Sequence, residues 1–415
     1  MPFIEATGGT KTLIDLGGVS YWRHVFTSSD TFTVSEAQAD DVIRLLLVGG
    51  GGSGGDGGGG GAGGLIDEDD ISVAVTSYSI AIGAGGIFSR NNGSDSTAFG
   101  KTALGGGGGA NVNNNGLNGG SGGGGGNQSG DVSTGGNALQ PTSTDGGYGK
   151  AGGDGYPTNP YPGGGGGGSA AAGKNATSSG PGAGGNGRSI SARFGTGIGE
   201  SGRIAAGGGG SAYSNDDGWA AGGIGGGGDG GDTTSASEDG QVNTGSGGGS
   251  NSSEGGDGGS GIAVILYIAN IAPDVPTTLQ VTSQNIDTTP SFSCDVSDPN
   301  TGDDVKARFE VSTSAGSTVG TVDSAFVTTS GTVTAEYTTA LDVGEYRVRV
   351  KAIDEHGEES AYTNYVDFSI ISPAFVSGVG GFITKGIVPT KTQAQGRWSV
   401  NDVHGYKDND QWPTA

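Results

Sequence analysis

The chain has 415 residues, of which 95 are glycine and only 31% apolar, so any hydrophobic core must be small and local. Its 43 Asp and Glu outnumber 19 Lys and Arg, and the formal net charge of −24 argues against binding nucleic acid by neutralising phosphates or docking on anionic membranes. Cys294 is the single cysteine, which excludes an intrachain disulfide, and the longest apolar runs, residues 45–48 and 262–269, fall far short of a membrane span.

Residues 1–48 read as β-structure. Tyr21-Trp22-Arg23-His24-Val25-Phe26 leads through a polar turn at residues 27–30 into Thr31-Phe32-Thr33-Val34. Residues 42–48 form a mostly continuous apolar run, as expected of a buried strand, and feed straight into glycines. The first residues, Met-Pro-Phe-Ile-Glu-Ala-Thr, lack a basic stretch followed by an apolar core. The expectation is a protein made in a cytoplasm without a secretory leader.

Residues 49–261 hold 79 of the 95 glycines. No Gly-X-Y period runs through them, which excludes a collagen triple helix. Composition alone reads as a flexible coil. Within the stretch, however, residues 71–75 and 78–82 alternate apolar with small or polar side chains, and residues 261–267 close it with a second apolar run. The strands around Leu46, Ile80 and Ile265 are expected to join in one sandwich, with the glycine segments as long excursions clamped at their ends. Such segments can pack backbone to backbone as a polyproline-II-like bundle. Glycine loops ordered only by neighbouring subunits would give the same sequence pattern.

Several segments together carry a resemblance. Gly8-Gly9-Thr10, residues 24–34, Leu45-Leu46-Leu47-Val48 running into glycines, residues 57–64 and residues 258–267 resemble the glycine-rich domain of bacteriophage tail-fibre and other virion proteins, over about residues 8–268. The chain departs from that pattern at Asp30, where glycine is usual, and at Leu266, where arginine is usual. The resemblance implies a non-enzymatic structural virion protein, a tail-fibre or adhesin component that contributes to host-surface attachment. A capsid-decorating or head-fibre protein and a non-viral surface adhesion protein are the alternatives. The implied partners are other virion proteins and a host cell-surface glycan or protein, with neither nucleic acid nor membrane insertion. A homo-oligomer is also implied; trimers are common among such fibres, although no heptad or β-helix repeat is present to enforce threefold symmetry.

Residues 272–371 are poorer in glycine and richer in Thr, Val, Ser and Asp. Strands read off at residues 279–281, 291–296, 307–312, 332–337, 346–352 and 366–370, the spacing of an immunoglobulin-like sandwich. Residues 341–352 resemble the corner and penultimate strand of a fibronectin type III domain, although Phe292 stands nearest to the usual tryptophan. The whole chain is therefore expected to be all-β: a first domain with its N-terminal β segment at 1–48 and its glycine-rich part at 49–271, an Ig/FN3-like sandwich at 272–371, and a C-terminal tail at 372–415. In that tail Trp398 and Trp412 are read as docking residues, the alternative being that they fold back on the preceding sandwich.

Catalytic signals are weak. Gly100-Lys101-Thr102 ends like a phosphate-binding loop, but Asp95 occupies the required glycine position. His24, His356 and His404 are far apart and lack a cysteine pair for zinc. Two acidic clusters, residues 67–70 and 298–304, raise the possibility of calcium, with Asp298, Asn300, Asp303 and Asp304 as candidate ligands; a solvated hairpin is the plainer reading. In the glycine stretch Tyr148, Tyr156, Tyr161, Tyr213 and Trp219 are candidate receptor contacts, since aromatics on loops stack on sugar rings or enter a receptor. The plainer alternative is that they plug gaps between glycine segments or sit at a subunit interface.

Overall fold

An apolar run without alternation has to be covered on both faces, and the central strands of the first unit are such runs. The computed structural model describes residues 4–38, 41–88, 90–126, 131–212, 218–232, 234–252, 254–283 and 285–372. The chain divides into two compact units between Ala269 and Asn270, and nearly all regular structure is antiparallel strand. No helix among the described residues is long and apolar enough to cross a membrane.

The first unit contains β1 (Glu5–Thr7), β2 (Thr10–Asp15), β3 (Ser20–Phe26), β4 (Asp30–Glu36), β5 (Val42–Val48), β6 (Leu65–Ser72), β7 (Ser77–Ile80), β8 (Ser96–Ala98), β9 (Lys101–Ala103), β10 (Arg188–Ser189), the one-turn α1 (Ser191–Phe194), β11 (Arg203–Ile204) and β12 (Ile262–Ile268). A three-stranded sheet, β1-β4-β7, faces a five-stranded sheet, β2-β3-β12-β5-β6. The closing strand lies at the centre: Val264 pairs with Leu46 on β5 and with Val25 on β3. Leu45, Leu47 and Ile265 pack toward Phe32 and Ile80 of the smaller sheet. Leu46, Val264 and Leu266 face the opposite way, onto Phe194, Ile198 and Ile204 of the excursion. Both faces are thus covered, which is why β5 and β12 read as continuous apolar runs. The strand expected at residues 71–75 begins earlier, at Leu65, because Leu65 pairs with Val48 directly across the mouth of the first glycine hairpin.

His24 is fully buried in this sandwich. Its Nδ1 lies 2.7 Å from the Gly8 carbonyl oxygen and its Nε2 3.1 Å from the Tyr267 hydroxyl. A carbonyl only accepts, so Nδ1–H donates to Gly8 and Nε2 accepts from Tyr267 in the neutral ring. Burial holds the His24 pKa below its ordinary value, consistent with that tautomer.

The glycine excursions are held by backbone hydrogen bonds with a period of three. Along residues 49–55, Gly49, Gly52 and Gly55 donate to Gly64, Gly61 and Gly58. Gly50 and Ser53 donate to Ser94 and Asn91, while Gly51 and Gly54 donate to Gly259 and Gly256, all at 2.8–3.0 Å. Successive N–H groups therefore rotate among three neighbours, the three-residue turn of polyproline II. The returning segment behaves likewise. Its N–H groups go to residues 104–110, 164–167 and 245–248, and its carbonyls accept from residues 49–55, 208–211 and 121–124, so it has six neighbours. An isolated polyproline-II chain leaves these groups to water; here the neighbouring segments satisfy them. Glycine is required because the segments touch backbone to backbone: a Cβ on Gly60 would overlap the Gly52 carbonyl, and one on Gly208 the Gly248 carbonyl. Where a segment leaves the array, a small polar side chain supplies the bond, as Ser96 Oγ does by accepting from Gly83 N–H and donating to the Val48 carbonyl.

The second unit contains β13 (Thr277–Val281), β14 (Ser291–Ser297), β15 (Asp304–Thr313), β16 (Thr318–Asp323), β17 (Val327–Thr328), β18 (Ser330–Glu336), β19 (Gly344–Asp354) and β20 (Val366–Ile370). One sheet runs β13-β14-β18 and the other β16-β15-β19-β20, with β17 also on β15. Strict alternation puts Phe292, Cys294 and Val296 of β14 against Phe309, Val348 and Val350 between the sheets. The Phe292 and Phe309 rings stack at 5.6 Å. Burial pushes the Cys294 thiol up to about 12, so it serves as a small core residue. β16 and β17 carry no strong apolar pattern and emerge only from their pairing with β15.

Two outcomes follow from this packing. Gly60→Ala should destabilise the first unit by about 1–3 kcal/mol or more, the cost of overpacking an interior that cannot shift. The control Gly331→Ala, whose Cβ would make only ordinary contact with Val327, should stay within about 0.5 kcal/mol; calorimetric unfolding reads both. In the second unit, Arg308 forms a two-pronged bond to Asp323 at 2.7 Å, joined by Lys306, and holds the Asp323 carboxyl at about 2. A depressed carboxylate stabilises the fold above its unfolded pKa and loses that contribution as pH falls through the folded value. Asp323→Asn should therefore cost about 1 kcal/mol at pH 7, allowing for solvent screening, and nothing measurable near pH 2.

Candidate functional site

The first glycine hairpin fixes a direction. It leaves the sheet at Val48, turns at Asp56 and Gly57 where Gly55 N–H donates to the Gly58 carbonyl, and rejoins the sheet at Leu65. At the polyproline-II rise of about 3.1 Å per residue its turn stands roughly 22 Å beyond the strand ends. Other excursions turn at the same level. Ser211 N–H donates to the Gly57 carbonyl, Gly163 N–H to the Ser211 carbonyl, and Asp56 N–H to Asn111 Oδ1. The bundle thus has a sheet end and a loop end.

Three of the candidate aromatics meet at the loop end. Pro162 bridges to Ala212 and Ser211 bridges to Trp219, so the loop carrying Tyr156 and Tyr161 is tied to the one carrying Trp219. Tyr156 N–H donates to the Pro162 carbonyl, which closes the first loop on itself. Trp219 is 44% exposed, and Tyr156 and Tyr161 are half-buried. Tyr161 has φ of 53°, a left-handed conformation uncommon for an aromatic residue. One exposed ring, two half-buried rings and the exposed Asn159 side chain offer stacking faces together with hydrogen-bond donors and acceptors.

Tyr148 does not belong to this group. It exchanges backbone hydrogen bonds with Leu65 at the sheet end, and the Arg188 guanidinium lies 3.8 Å from its ring centroid. Its role there is packing. Tyr213, Trp398 and Trp412 lie outside the described residues. Sequence reading passed over Ile87 and Phe88, 54% and 63% exposed, on a loop whose Arg90 N–H donates to the Gly54 carbonyl. The signal was an apolar pair set between glycine and a polar run.

The acidic clusters separate in the same way. Residues 67–70 are not a cation site: Asp67 pairs with Arg193 at 2.9 Å, Asp69 with Arg44 at 2.6 Å and Arg193 at 2.9 Å, and Glu68 with Lys101 at 2.9 Å. These acids lie on β6, where cations from β5, β9 and α1 neutralise them. Of the other cluster, Asp298, Asn300 and Asp303 are buried together, whereas Asp304 turns away to accept from Thr328 Oγ1 at 2.6 Å. Asp354, at the far end of β19, joins the buried set, and the exposed Glu355 that follows it reaches Asp303; nothing in their spacing announced it. Gly100 lies in the two-residue turn of a short β8–β9 hairpin, and Lys101 is the first residue of β9, paired with Ala98.

Residues 27–268 match the model of a family described as a glycine-rich domain. The match ends with β12 and omits β1 to β3, although β3 is the partner of β12 in the central sheet. No curated protein matches the chain. Because Trp219 is exposed on an array held by its own backbone hydrogen bonds, Trp219→Ala should leave the unfolding free energy of the first unit within about 0.5 kcal/mol of the parent, as read by calorimetry.

Proposed function

We propose, for a chain that belongs to the glycine-rich domain family, that it is a structural bacteriophage virion protein, a tail-fibre or adhesin component that attaches to the host surface. The observation that carries the reading is the hydrogen-bonded bundle whose loop end gathers Tyr156, Tyr161 and Trp219 at a distance from the sandwich. Loops positioned by a rigid scaffold are the usual place for recognition, and aromatic residues contribute contact area at little entropic cost. The ligand class this chemistry fits best is a cell-surface glycan, with rings stacking on sugars and amides meeting hydroxyls. The acidic surface suits solubility of a multi-copy assembly and argues against nucleic-acid partners.

The second unit is read as a fibronectin type III module that spaces or joins the bundle to other virion proteins. Its two packed sheets, one of three strands and one of five, support this, as does the Tyr346 hydroxyl, which donates to the Asp342 carbonyl at 3.1 Å in the manner of a tyrosine corner. Location in the virion, assembly with other virion proteins, self-association and the absence of catalysis belong to the same proposal.

The test uses purified full-length protein on surfaces coated with bacterial lipopolysaccharide and capsular polysaccharide from a panel of strains. Binding to at least one strain, weakened tenfold or more in Tyr156→Ala/Tyr161→Ala/Trp219→Ala with unchanged thermal unfolding, is the expected result. Equal binding by the triple variant would remove the tip from the reading. Shortening of the polysaccharide would make the protein an enzyme, and immunogold label on the head lattice of particles would make it a decoration protein.

A further inference from the structure

In the second unit the loop between β14 and β15 and the end of β19 converge with Asn270 on a group of inward-facing oxygens. Asp298 and Asn270 are each held through one polar atom, and they and Asp303 each leave a side-chain oxygen without a hydrogen-bond partner. Asp298 accepts from Asn300 N–H at 2.7 Å through Oδ1, and its Oδ2 has no partner. Asn270 donates through Nδ2 to Asp354 Oδ2 at 2.9 Å, and its Oδ1 has none. Asp303 is only 2% exposed, and its Oδ1 is likewise unpartnered. Asp354 organises the rest: its Oδ1 accepts from His356 N–H at 2.9 Å and from Glu358 N–H at 2.8 Å. The Glu355 carboxylate and the His356 ring reach Asp303, with one ligand atom from each of the three lying within 4.8 Å of the others.

Buried carboxylate oxygens without donors are unfavourable unless a cation faces them. The effect is visible in Asp298, whose carboxyl is pushed up to about 6, first by burial and then by the charges of Asp303, Asp354 and Asp274. The loop is also anchored against collapse, because Asn300 Oδ1 accepts from Ile271 N–H at 2.8 Å and Thr329 N–H donates to the Asp303 carbonyl at 2.7 Å. These bonds fix the backbone of the loop that carries Asp298 and Asp303.

We infer that Asp298, Asp303 and Asn270, with Glu355 on the solvent side, form a calcium site. Calcium takes oxygen donors at about 2.3–2.6 Å, so ligands across one ion stand up to about 5 Å apart, which fits the spacing of the Asp303 and Glu355 oxygens. Zinc prefers nitrogen and sulfur in a tetrahedron, and here one imidazole stands among several carboxyl and amide oxygens. A bound ion would cross-link the start of the unit, the 298–303 loop and the end of β19. The expected affinity is that of extracellular calcium modules, with Kd on the order of 10⁻⁴–10⁻³ M.

The experiment is calorimetric unfolding of the full chain after chelator dialysis, with and without calcium chloride at about 5 mM, above the weakest of those affinities. Calcium should raise the transition of the second unit by a few degrees and give a saturable binding heat, with magnesium giving less. Asp303→Asn should fold, since it relieves a buried charge, yet lose the calcium shift. Asp304→Asn, one residue away and outside the set, should keep it. Absence of both shift and binding heat in the parent protein would overturn the inference, as would a shift that survives in Asp303→Asn or a larger one from zinc chloride.

Discussion

The rotation of backbone N–H groups around each glycine segment is the interaction on which the first unit depends. A β-strand offers hydrogen bonds in one plane and needs side chains on its two faces to build a core. A segment with a three-residue turn offers them in three directions and needs no side chains, provided every neighbour can approach to backbone contact. That condition selects glycine at interior positions such as Gly60, where even a methyl group meets a carbonyl oxygen. Ordering glycine is entropically unfavourable, at roughly 1–2 kcal/mol per residue or more. A segment with six hydrogen-bonded neighbours offsets that cost collectively, and no pair of segments could do so alone.

An array of this kind cannot start itself, because its contacts join residues far apart in sequence. The sandwich supplies the start. Val48 and Leu65 are paired across one sheet, so the first hairpin leaves and returns at neighbouring points. Ile262 pairs with Val48, so the last segment returns beside the first. The covered second face of the large sheet extends the clamp through Phe194, Ile198 and Ile204, which come from within the glycine stretch itself. The few apolar residues of the excursions therefore anchor them to the frame, and the exposed rings are left to the far end.

The two units handle charge in opposite ways. On β6 of the first unit, three successive acids, Asp67, Glu68 and Asp69, are met by arginines and a lysine from separate elements, an arrangement satisfied within the chain. In the second unit, buried oxygens of Asp298 and Asp303 are left without donors, although the surrounding loop is tightly bonded. Residue types are similar in both clusters, and composition gave no means of telling the satisfied one from the other.

What the sequence determined by itself is the class of structure and the position of its frame. The continuous apolar runs at 42–48 and 262–268, the alternation around Tyr78 and Ile80, and the strict alternation of residues 291–296 and 346–352 are local patterns, because burial on one or both faces writes itself into the period of the chain. The glycine blocks likewise announced close approach. The tertiary structure alone decided which segments approach each other, since glycine carries no side chain to specify a partner and the pairing follows from where the strands release and recapture the chain. It also decided that Tyr148 packs at the sheet end while Tyr156, Tyr161 and Trp219 meet at the loop end. In the same way it brought Asp354 to Asp298 and turned Asp304 away. Those outcomes depend on residues distant in sequence and brought together only by folding, so no local pattern could encode them.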